Sequence, residues 1–201
     1  MMEYELLDIR TLPDPQEDAD ALAEIPDWRR DYILRYKLPT DRKRSLGAWR
    51  LLEKALTRHG CSVRDVTVGE HGKLICKGVC VNLSHSGDMA LCVISDVPVG
   101  CDIEQVKDAP FAVAKRVFTA KERRYLDEAS NPEEANRRFF RLWTMKESYL
   151  KMTGEGLGFS PAHLEINPMS AIVLRDGVPQ NCEFYTVSLD NYEIAICQNT
   201  K

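Results

Sequence analysis

The sequence predicts an α+β fold in which helices pack against antiparallel sheets. Short apolar runs rich in Val, Ile, Leu and Cys, separated by turn residues, recur in the segments 73–104 and 164–198. Strands and helices are grouped rather than alternating, which indicates antiparallel pairing. With 201 residues, of which 44% are hydrophobic, the chain can form two small halves that share a core. We expect these halves to comprise residues 1–97 and 98–201.

The first half is predicted to contain a strand, two helices and a run of short strands. Its predicted elements are a strand at 3–10, a proline-containing loop at 12–26, helices at 27–36 and 41–58, and strands at 73–76, 79–83 and 89–94. Asp27 is the expected cap of the first helix, and Thr40 or Asp41 is that of the second. Gly60 is expected to end the second helix.

The second half is predicted to contain two helices and several strands. Thr119 followed by Glu122 forms a capping box, which starts a short helix. Asn131 and Pro132 start a longer helix, which Gly154 ends. The predicted strands are at 99–104, 163–167, 171–175, 182–189 and 192–198.

Composition and charge argue against several classes of protein. The net charge of −4 does not favour nucleic-acid binding, which requires a basic surface. The N-terminal stretch lacks the pattern of a signal peptide, and no apolar run reaches membrane-spanning length. Seven cysteines occur without a CxxC pair, and we interpret them as buried free thiols in a reducing compartment. We therefore expect a cytoplasmic protein that binds neither nucleic acid nor membranes.

The stretch VGCDIEQV (99–106) places two acids on one side of a predicted strand. Residues two apart in a strand point the same way, so Asp102 and Glu104 project together while Cys101 and Ile103 face the core. Two carboxylates held close repel each other, so the pair favours a cation or a basic partner. Mg²⁺, which takes oxygen ligands and phosphate, fits this pair. The alternative is two solvated acids at a strand end.

The helical stretch RLWTMKESYLKMTG (141–154) carries charges beside an apolar stripe. Lys146 falls in line with the stripe, whereas Glu147 and Lys151 lie one turn apart along its flank. A lysine in the stripe would lose solvation unless a carboxylate meets it. The candidates for that carboxylate are Asp102, Glu104 and Glu122. For Glu147 and Lys151 the alternative is an ordinary surface pair, worth about 0.3–0.5 kcal/mol.

The stretch VNLSHSG (81–87) ends a predicted strand in a turn rich in hydrogen-bond donors. Ser84 and His85 are candidates for binding phosphate, with a histidine satisfied by backbone groups as the alternative. Basic residues that could join a phosphate site are Arg42, Lys43 and Arg44, at the start of the second helix. A hydrolase triad is not favoured, because this stretch is not a GxSxG elbow.

These motifs occur in a particular order. The order is DRKRSLGA (41–48), GK (72–73), VNLSHSG, VGCDIE, FTAKE (118–122) and LWTMKESYLKMTGEGL (142–157). Together they resemble the surfactin-type 4′-phosphopantetheinyl transferases. The resemblance extends from about Asp41 to Pro161, and the pair GCDIE and WTMKESYLK at this separation is specific, whereas either alone is weak.

The resemblance implies an activity and an architecture. The family moves the 4′-phosphopantetheine arm of coenzyme A onto a serine of an apo acyl or peptidyl carrier protein and releases adenosine 3′,5′-bisphosphate, with Mg²⁺ as cofactor. Its two similar α+β halves are related by a pseudo-twofold, and the active site lies at their interface. Because both halves would lie in one chain, we expect a monomer.

The resemblance also implies roles for individual residues. Asp102, Glu104 and Glu147 would hold Mg²⁺ against the coenzyme A pyrophosphate, which makes Asp102 part of the catalytic site. Glu147, or a water it orients, would take the proton from the attacking serine. Lys151 would stabilise or protonate the leaving phosphate. The other implied coenzyme A contacts are Arg44, Lys73 near the adenine, Ser84, and His85 at the 3′-phosphate. Glu122 matches a recurrent acid whose role is open, with a structural one among the possibilities.

Two alternatives remain open at this point. One is a Mg²⁺-dependent phosphodiesterase or nuclease that uses the same acidic cluster with water as nucleophile, which should show a basic groove. The other is a family member that binds coenzyme A or a carrier without catalysis. The intact set of Asp102, Glu104, Glu147 and Lys151 argues against the second.

Overall fold

The structure, a computed structural model, describes residues 1–156 and 160–200. Leu157, the last residue of the motif LWTMKESYLKMTGEGL, lies outside the described residues. The elements of the first half are β1 (Met2–Asp8), α1 (Asp27–Leu34), α2 (Pro39–Arg58), β2 (Thr67–Val68), β3 (Leu74–Ile75), β4 (Cys80–Ser86) and β5 (Met89–Ser95). Those of the second half are β6 (Val99–Gln105), α3 (Ala114–Val117), α4 (Ala120–Asp127), α5 (Pro132–Thr153), β7 (Leu164–Ile166), β8 (Val173–Arg175), β9 (Val178–Pro179), β10 (Cys182–Leu189) and β11 (Tyr192–Asn199).

Two antiparallel three-stranded sheets form the centre of the molecule, which confirms the α+β class. Their strand orders are β1–β5–β4 and β10–β11–β6. Helix α2 packs on the first sheet and α5 on the second. In each sheet the first strand is followed along the chain by helices and later by a hairpin. The second strand of that hairpin, β5 or β11, lies in the middle of its sheet. On this ground we propose that 1–97 and 98–201 are two similar halves related by a pseudo-twofold.

The two sheets meet where β4 lies beside β6. Ser84 accepts a hydrogen bond from the backbone N–H of Ile103 at 3.3 Å, and Ser86 accepts one from Gln105 at 3.1 Å. Asn82 Oδ1 accepts one from the backbone N–H of Cys101 at 2.9 Å. Because alternate residues of a strand share a face, these three side chains of β4 all point at β6. The contact places Ser84 beside the acids of that strand.

A shared apolar cluster joins the halves. It combines Leu91 and Val93 of β5 with Cys101 and Ile103 of β6 and with Ile194 of β11, each 1% exposed or less. The predicted inward orientation of Cys101 and Ile103 is therefore confirmed. Burial raises the pKa of the Cys101 thiol well above its usual value, so this cysteine stays a neutral core residue.

The predicted signals at the ends of the later helices are confirmed. Thr119 and Glu122 form a reciprocal capping box at the start of α4. Asn131 caps α5, because its side-chain oxygen accepts a hydrogen bond from the backbone N–H of Glu134. Gly154 ends α5 in the left-handed conformation, with φ of 79°. These ends were predictable because each depends on residues that lie within one turn.

The predicted caps of the first two helices lie after the observed ones, which are Pro26 and Leu38. Helix α1 follows Pro26, and Asp27 lies in its first turn without acting as the cap. Helix α2 begins at Pro39, ahead of the predicted Thr40 or Asp41. The fixed φ of proline suits the first turn of a helix, and its missing N–H is not needed there.

The cysteines and the hydropathy of the helices agree with the sequence analysis. All seven cysteines lie in the described ranges and are free thiols, four of them buried. Within residues 1–156 and 160–200, no helix is both long and apolar enough to cross a membrane.

Candidate active site

A cavity of about 630 Å³ is lined by residues from both of the proposed halves. These residues come from α1, α2, β2, β3 and β4 and from β6 and α5. An adjoining cavity of about 470 Å³ shares part of this wall. The sequence-predicted site residues that line one or both cavities are Lys73, Ser84, His85, Asp102, Glu104, Glu147 and Lys151. The structure thus brings together these seven predicted site residues, whereas Arg44 and the other phosphate candidates, Arg42 and Lys43, line neither cavity. Arg42 instead forms a buried ion pair with Asp14.

A glycine allows α5 to approach β6 closely at this site. A Cβ atom on Gly100 would lie 2.1 Å from the carbonyl oxygen of Ser148 and 2.3 Å from the backbone nitrogen of Met152. Both distances are far inside van der Waals contact, so a side chain at this position would force the helix away from the strand. The close approach brings Lys151 of α5 next to Asp102 of β6.

Asp102 is buried, with 4% of its surface exposed. Its Oδ1 accepts hydrogen bonds from Lys151 Nζ at 2.6 Å and from Ser84 Oγ at 2.8 Å. Its Oδ2 is also buried but has no hydrogen-bond partner among the described residues. The alternative of two solvated acids is therefore wrong for Asp102. Burial disfavours the Lys151 ammonium, but the charge of Asp102 outweighs it together with smaller contributions and raises the pKa of Lys151.

Glu104 and Glu147 add two further carboxylates to the same cavity. Burial, followed by the negative charge of Asp102, raises the pKa of both side chains. Glu104 Oε2 accepts a 2.6 Å hydrogen bond from Ser86, which opposes part of that shift. Glu104 and Glu147 therefore each lie close enough to Asp102 to be repelled by its charge, and Lys151 is the cation that contacts Asp102.

The fit of these acids to a metal ion depends on their donor chemistry. In the described parts of the chain, no group of three or more His, Cys, Asp or Glu side chains is arranged so that it could hold a metal ion. Carboxylate oxygens are nevertheless the ligands that Mg²⁺ takes in proteins. Asp102 Oδ2 is a buried acceptor whose desolvation is uncompensated, and a cation beside it would remove that cost. The residues present thus fit Mg²⁺ in kind.

Lys146 lines neither cavity and is instead paired inside the protein. Lys146 and Glu122 are each 1% exposed, and Lys146 Nζ lies 2.8 Å from Glu122 Oε2. Of the three candidate carboxylates, Glu122 is therefore the one that meets this lysine. The ammonium also donates to the carbonyl oxygens of Val117, Pro161 and Leu164, at 2.9, 2.8 and 2.5 Å.

The other contacts of Glu122 give it a structural role. Its carboxylate accepts 2.7 Å hydrogen bonds from the backbone N–H groups of Thr119 and Ile166. It therefore connects the start of α4 to β7 and compensates the buried charge of Lys146. Burial lowers the pKa of Lys146, and the charge of Glu122 opposes that shift.

Of the predicted phosphate-binding residues, His85 lines the cavity and Arg44 does not. The side chain of His85 is exposed. Desolvation by the surrounding protein nevertheless lowers its pKa, and the positive charges of Lys151, Arg44 and Arg29 lower it further. Arg44 donates to the carbonyl oxygen of Gly87 at 2.6 Å and pairs with Asp41 at 2.7 Å. Arg44 thus contributes positive charge near His85, and its direct contact with coenzyme A stays a prediction.

Arg29 is a buried cation of the cavity wall that the sequence analysis missed. Its Nη2 donates to the carbonyl oxygen and the hydroxyl of Ser45, at 2.8 and 3.0 Å. Its guanidinium lies over the rings of Tyr32 and Trp49. Its Nε has no hydrogen-bond partner within the described residues, and burial lowers its pKa to about 10. The sequence pattern that could have identified Arg29 is its spacing from Ile33, which lies one helical turn later on the same buried face of α1.

Comparisons with known proteins show the family to which the chain is related. Residues 98–197 match the family described as ACPS: 4′-phosphopantetheinyl transferase superfamily. A 4′-phosphopantetheinyl transferase of Bacillus subtilis is 30% identical over 193 residues, which cover 90% of this chain and 85% of that protein. The 4′-phosphopantetheinyl transferase psf-1 of Bacillus pumilus is 40% identical, and Sfp of Bacillus subtilis strain 168 is 34% identical. Each of these two matches covers 58% of this chain, and they span 51% and 53% of the relatives, about half of their length.

The chain therefore belongs to the 4′-phosphopantetheinyl transferase superfamily. The predicted resemblance to its surfactin-type members is confirmed by the match to psf-1 and Sfp.

Proposed function

We propose that this protein transfers the 4′-phosphopantetheine moiety of coenzyme A to a serine of an apo acyl or peptidyl carrier protein and releases adenosine 3′,5′-bisphosphate. The observation that carries the proposal is the convergence of Asp102, Glu104, Glu147 and Lys151 on one cavity that Arg29 also lines. Acids of the kind that bind a metal ion and cations of the kind that bind phosphate thus line the same cavity.

The cations of the cavity suit the nucleotide end of coenzyme A. Arg29 has a buried donor without a partner among the described residues, and His85 and Ser84 line the same cavity. Guanidinium and imidazole donors bind phosphate oxygens through charge-assisted hydrogen bonds. We propose that His85 and Arg29 bind the 3′-phosphate, with Ser84 at the nucleotide end and Arg44 supporting the local positive charge.

The acids of the cavity suit a divalent cation. We propose that Asp102, Glu104 and Glu147 hold Mg²⁺, and the unpartnered Oδ2 of Asp102 supports this assignment. When bound, Mg²⁺ would withdraw negative charge from the pyrophosphate oxygens. The raised pKa values of Glu104 and Glu147 also support it, because a cation relieves repulsion among carboxylates.

The chain's own residues supply the proton transfer and the stabilisation of the leaving group. The carrier serine Oγ attacks the phosphorus that bears the pantetheine arm, a new P–O bond forms, and the bond to the adenosine bisphosphate breaks. Glu147, directly or through a water, takes the serine proton as the general base. Lys151 neutralises the charge that develops on the leaving phosphate.

Because the nucleophile comes from the partner, no serine or cysteine of this chain has to be activated. The partners we propose are coenzyme A and an apo carrier protein, and a monomer would suffice because both walls of the cavity come from one chain.

Mass spectrometry of an apo carrier incubated with this protein, coenzyme A and Mg²⁺ tests the proposal. Transfer should add about 340 Da, the mass of the prosthetic arm, to the carrier serine. A carrier in which that serine is replaced by alanine is the control. Hydrolysis of a nucleic acid or phosphodiester without carrier modification would instead indicate the phosphodiesterase alternative. Coenzyme A binding without any product would indicate a member that binds but does not catalyse.

A further inference from the structure

Lys73 connects the first half of the chain to the helix that carries the site residues of the second half. Its ammonium donates to the carbonyl oxygens of Lys151 and Met152, at 3.0 and 2.5 Å. These carbonyls lie in the last turn of α5, where helix geometry leaves no intrahelical partner for them. Two of the three donors of Lys73 are therefore used by the helix end rather than left for a ligand.

The segment around Lys73 is shaped to make this contact. Lys73 Cδ lies 3.2 Å from the position that a Cβ on Gly154 would occupy, and the Cβ of His71 lies 2.8 Å from the equivalent position on Gly156. His71 and Gly72 themselves adopt positive φ values of 54° and 79°. Positive φ is unfavourable for a non-glycine residue such as His71. The conformation is kept only where the surrounding structure stabilises it. The segment 71–73 therefore packs directly against the segment 154–156, and both line the cavity of about 470 Å³.

The contact is favourable in electrostatic terms. The end of an α-helix carries a partial negative charge, and a cation placed there is stabilised. Lys73 is half-buried, and burial lowers its pKa, so the carbonyl contacts compensate for water that its ammonium has lost.

Lys151 is consequently held at two points. Its ammonium contacts Asp102 and Ser84, and its carbonyl contacts Lys73. Fixing the carbonyl fixes the backbone from which the side chain extends. A small displacement of a catalytic group can cost as much as about a hundredfold in rate.

We propose that Lys73 is a positioning residue that caps α5 and thereby holds Lys151 in place, rather than a direct contact of coenzyme A. The part of this inference that concerns catalysis rests on the proposed function. It replaces the adenine contact that the sequence resemblance implied for Lys73.

The test compares Lys73→Met, which keeps the aliphatic stem against Gly154, with Lys73→Arg, which keeps the donors. Lys77→Met, at an exposed lysine four residues further on, is the matched control. Three quantities are measured on the full chain: amide hydrogen exchange at residues 150–154, the Kd for coenzyme A by calorimetry with Mg²⁺, and kcat for carrier modification. Thermal melting confirms that each variant is folded.

We expect Lys73→Met to speed exchange at 150–154 and to lower kcat about tenfold, while the Kd for coenzyme A changes less than about threefold. Lys73→Arg should restore most of kcat, and Lys77→Met should behave as the wild type. A rise in Kd with kcat unchanged, or unchanged exchange at 150–154, would overturn the inference. If the wild type modified no carrier, the proposed function would fail, and the exchange and Kd measurements would still decide whether Lys73 caps the helix or binds the ligand.

Discussion

Lys151 of α5 donates a 2.6 Å hydrogen bond to Asp102 Oδ1 of β6, and the same oxygen accepts the Ser84 hydroxyl of β4. Three elements from both proposed halves thus meet at one carboxylate oxygen. The second oxygen of Asp102 is left without a partner among the described residues. Through one oxygen Asp102 contacts Lys151, to which we assign the leaving group, and its other oxygen is the acceptor that we assign to Mg²⁺.

Replacing Asp102 by asparagine should remove Mg²⁺-dependent transfer while keeping the fold. Asparagine has nearly the same shape and can still accept from Ser84, but it removes the charge that Lys151 and the metal require. We expect kcat to fall about a hundredfold or more, the range found when a group that stabilises a transition state is lost. The measurement is the rate of carrier modification at saturating coenzyme A across a Mg²⁺ titration.

Asp108→Asn provides the matched control, because Asp108 is an exposed acid a few residues beyond the end of β6. It should transfer at the wild-type rate. Wild-type turnover by Asp102→Asn, with unchanged dependence on Mg²⁺, would remove Asp102 from the metal site.

Replacing Lys151 by methionine should lower kcat more than it weakens coenzyme A binding. The charge of Lys151 stabilises the transition state more than the bound substrate, because the leaving phosphate gains negative charge during the reaction. Loss of that charge therefore lowers kcat more than it raises the Kd for coenzyme A. We expect a fall in kcat of about a hundredfold. Single-turnover kinetics and calorimetric Kd values separate the two effects. A defect confined to Kd would reassign Lys151 to substrate binding.

Replacing Lys146 by methionine should destabilise the fold strongly. Lys146 and Glu122 are both fully buried, so the change leaves the Glu122 charge unpaired in the interior. Breaking a buried pair in this way costs about 3–5 kcal/mol. Urea denaturation measures the change in the free energy of unfolding.

Lys121→Met is the control for that experiment, because the Lys121 pair with Glu165 lies at the surface and should contribute little. If Lys146→Met were as stable as Lys121→Met, the buried pair would not be a structural requirement.

The sequence alone predicted the features that depend on neighbouring residues. The two-residue spacing of Asp102 and Glu104 predicted that they share a face, and both line the cavity. The cap residues predicted both ends of α5. Lys146 was predicted to need a carboxylate, since a charge in an apolar stripe must be compensated.

What the sequence could not decide was which distant partners meet. Three acids could have faced Lys146, and packing of α4 and β7 around α5 selects Glu122. Arg29 was missed because its role comes from α1 folding over Ser45 of the next helix. The contact of Lys73 with the end of α5 joins residues 78 positions apart, and no local pattern encodes it.

The pH dependence of coenzyme A binding should report on His85. Desolvation and the positive charges of Lys151, Arg44 and Arg29 lower the pKa of this imidazole. The imidazole is therefore neutral in the free protein at neutral pH. A bound phosphate would favour the imidazolium. Binding should therefore take up a proton, and affinity should rise as pH falls from about 8 to about 6.

Calorimetry in two buffers of different ionisation enthalpy counts the protons taken up. His85→Gln should abolish the uptake while retaining a hydrogen-bond donor for the phosphate. Equal proton uptake by this variant and the wild type would place the titrating group elsewhere.

Gly47→Ala is a suitable comparison for testing the close contact at Gly100. A Cβ at Gly47 would meet side-chain methyl groups of Ile9, Leu12 and Leu7, at 2.9, 3.2 and 3.4 Å, and no backbone atom is among these three nearest neighbours. A Cβ at Gly100 would meet backbone atoms of α5, which cannot move without shifting the whole helix. The two variants therefore add the same methyl group against different obstacles.

We expect Gly100→Ala to cost about 1–3 kcal/mol of unfolding free energy or more, the range for overpacking, and Gly47→Ala to cost less. Because the displaced helix carries Lys151 away from Asp102, carrier modification by folded Gly100→Ala should fall much further than its stability alone explains. Urea denaturation and kcat on the same preparations test both parts. Wild-type kcat in folded Gly100→Ala would mean that the 2.6 Å contact between Lys151 and Asp102 is not needed for turnover.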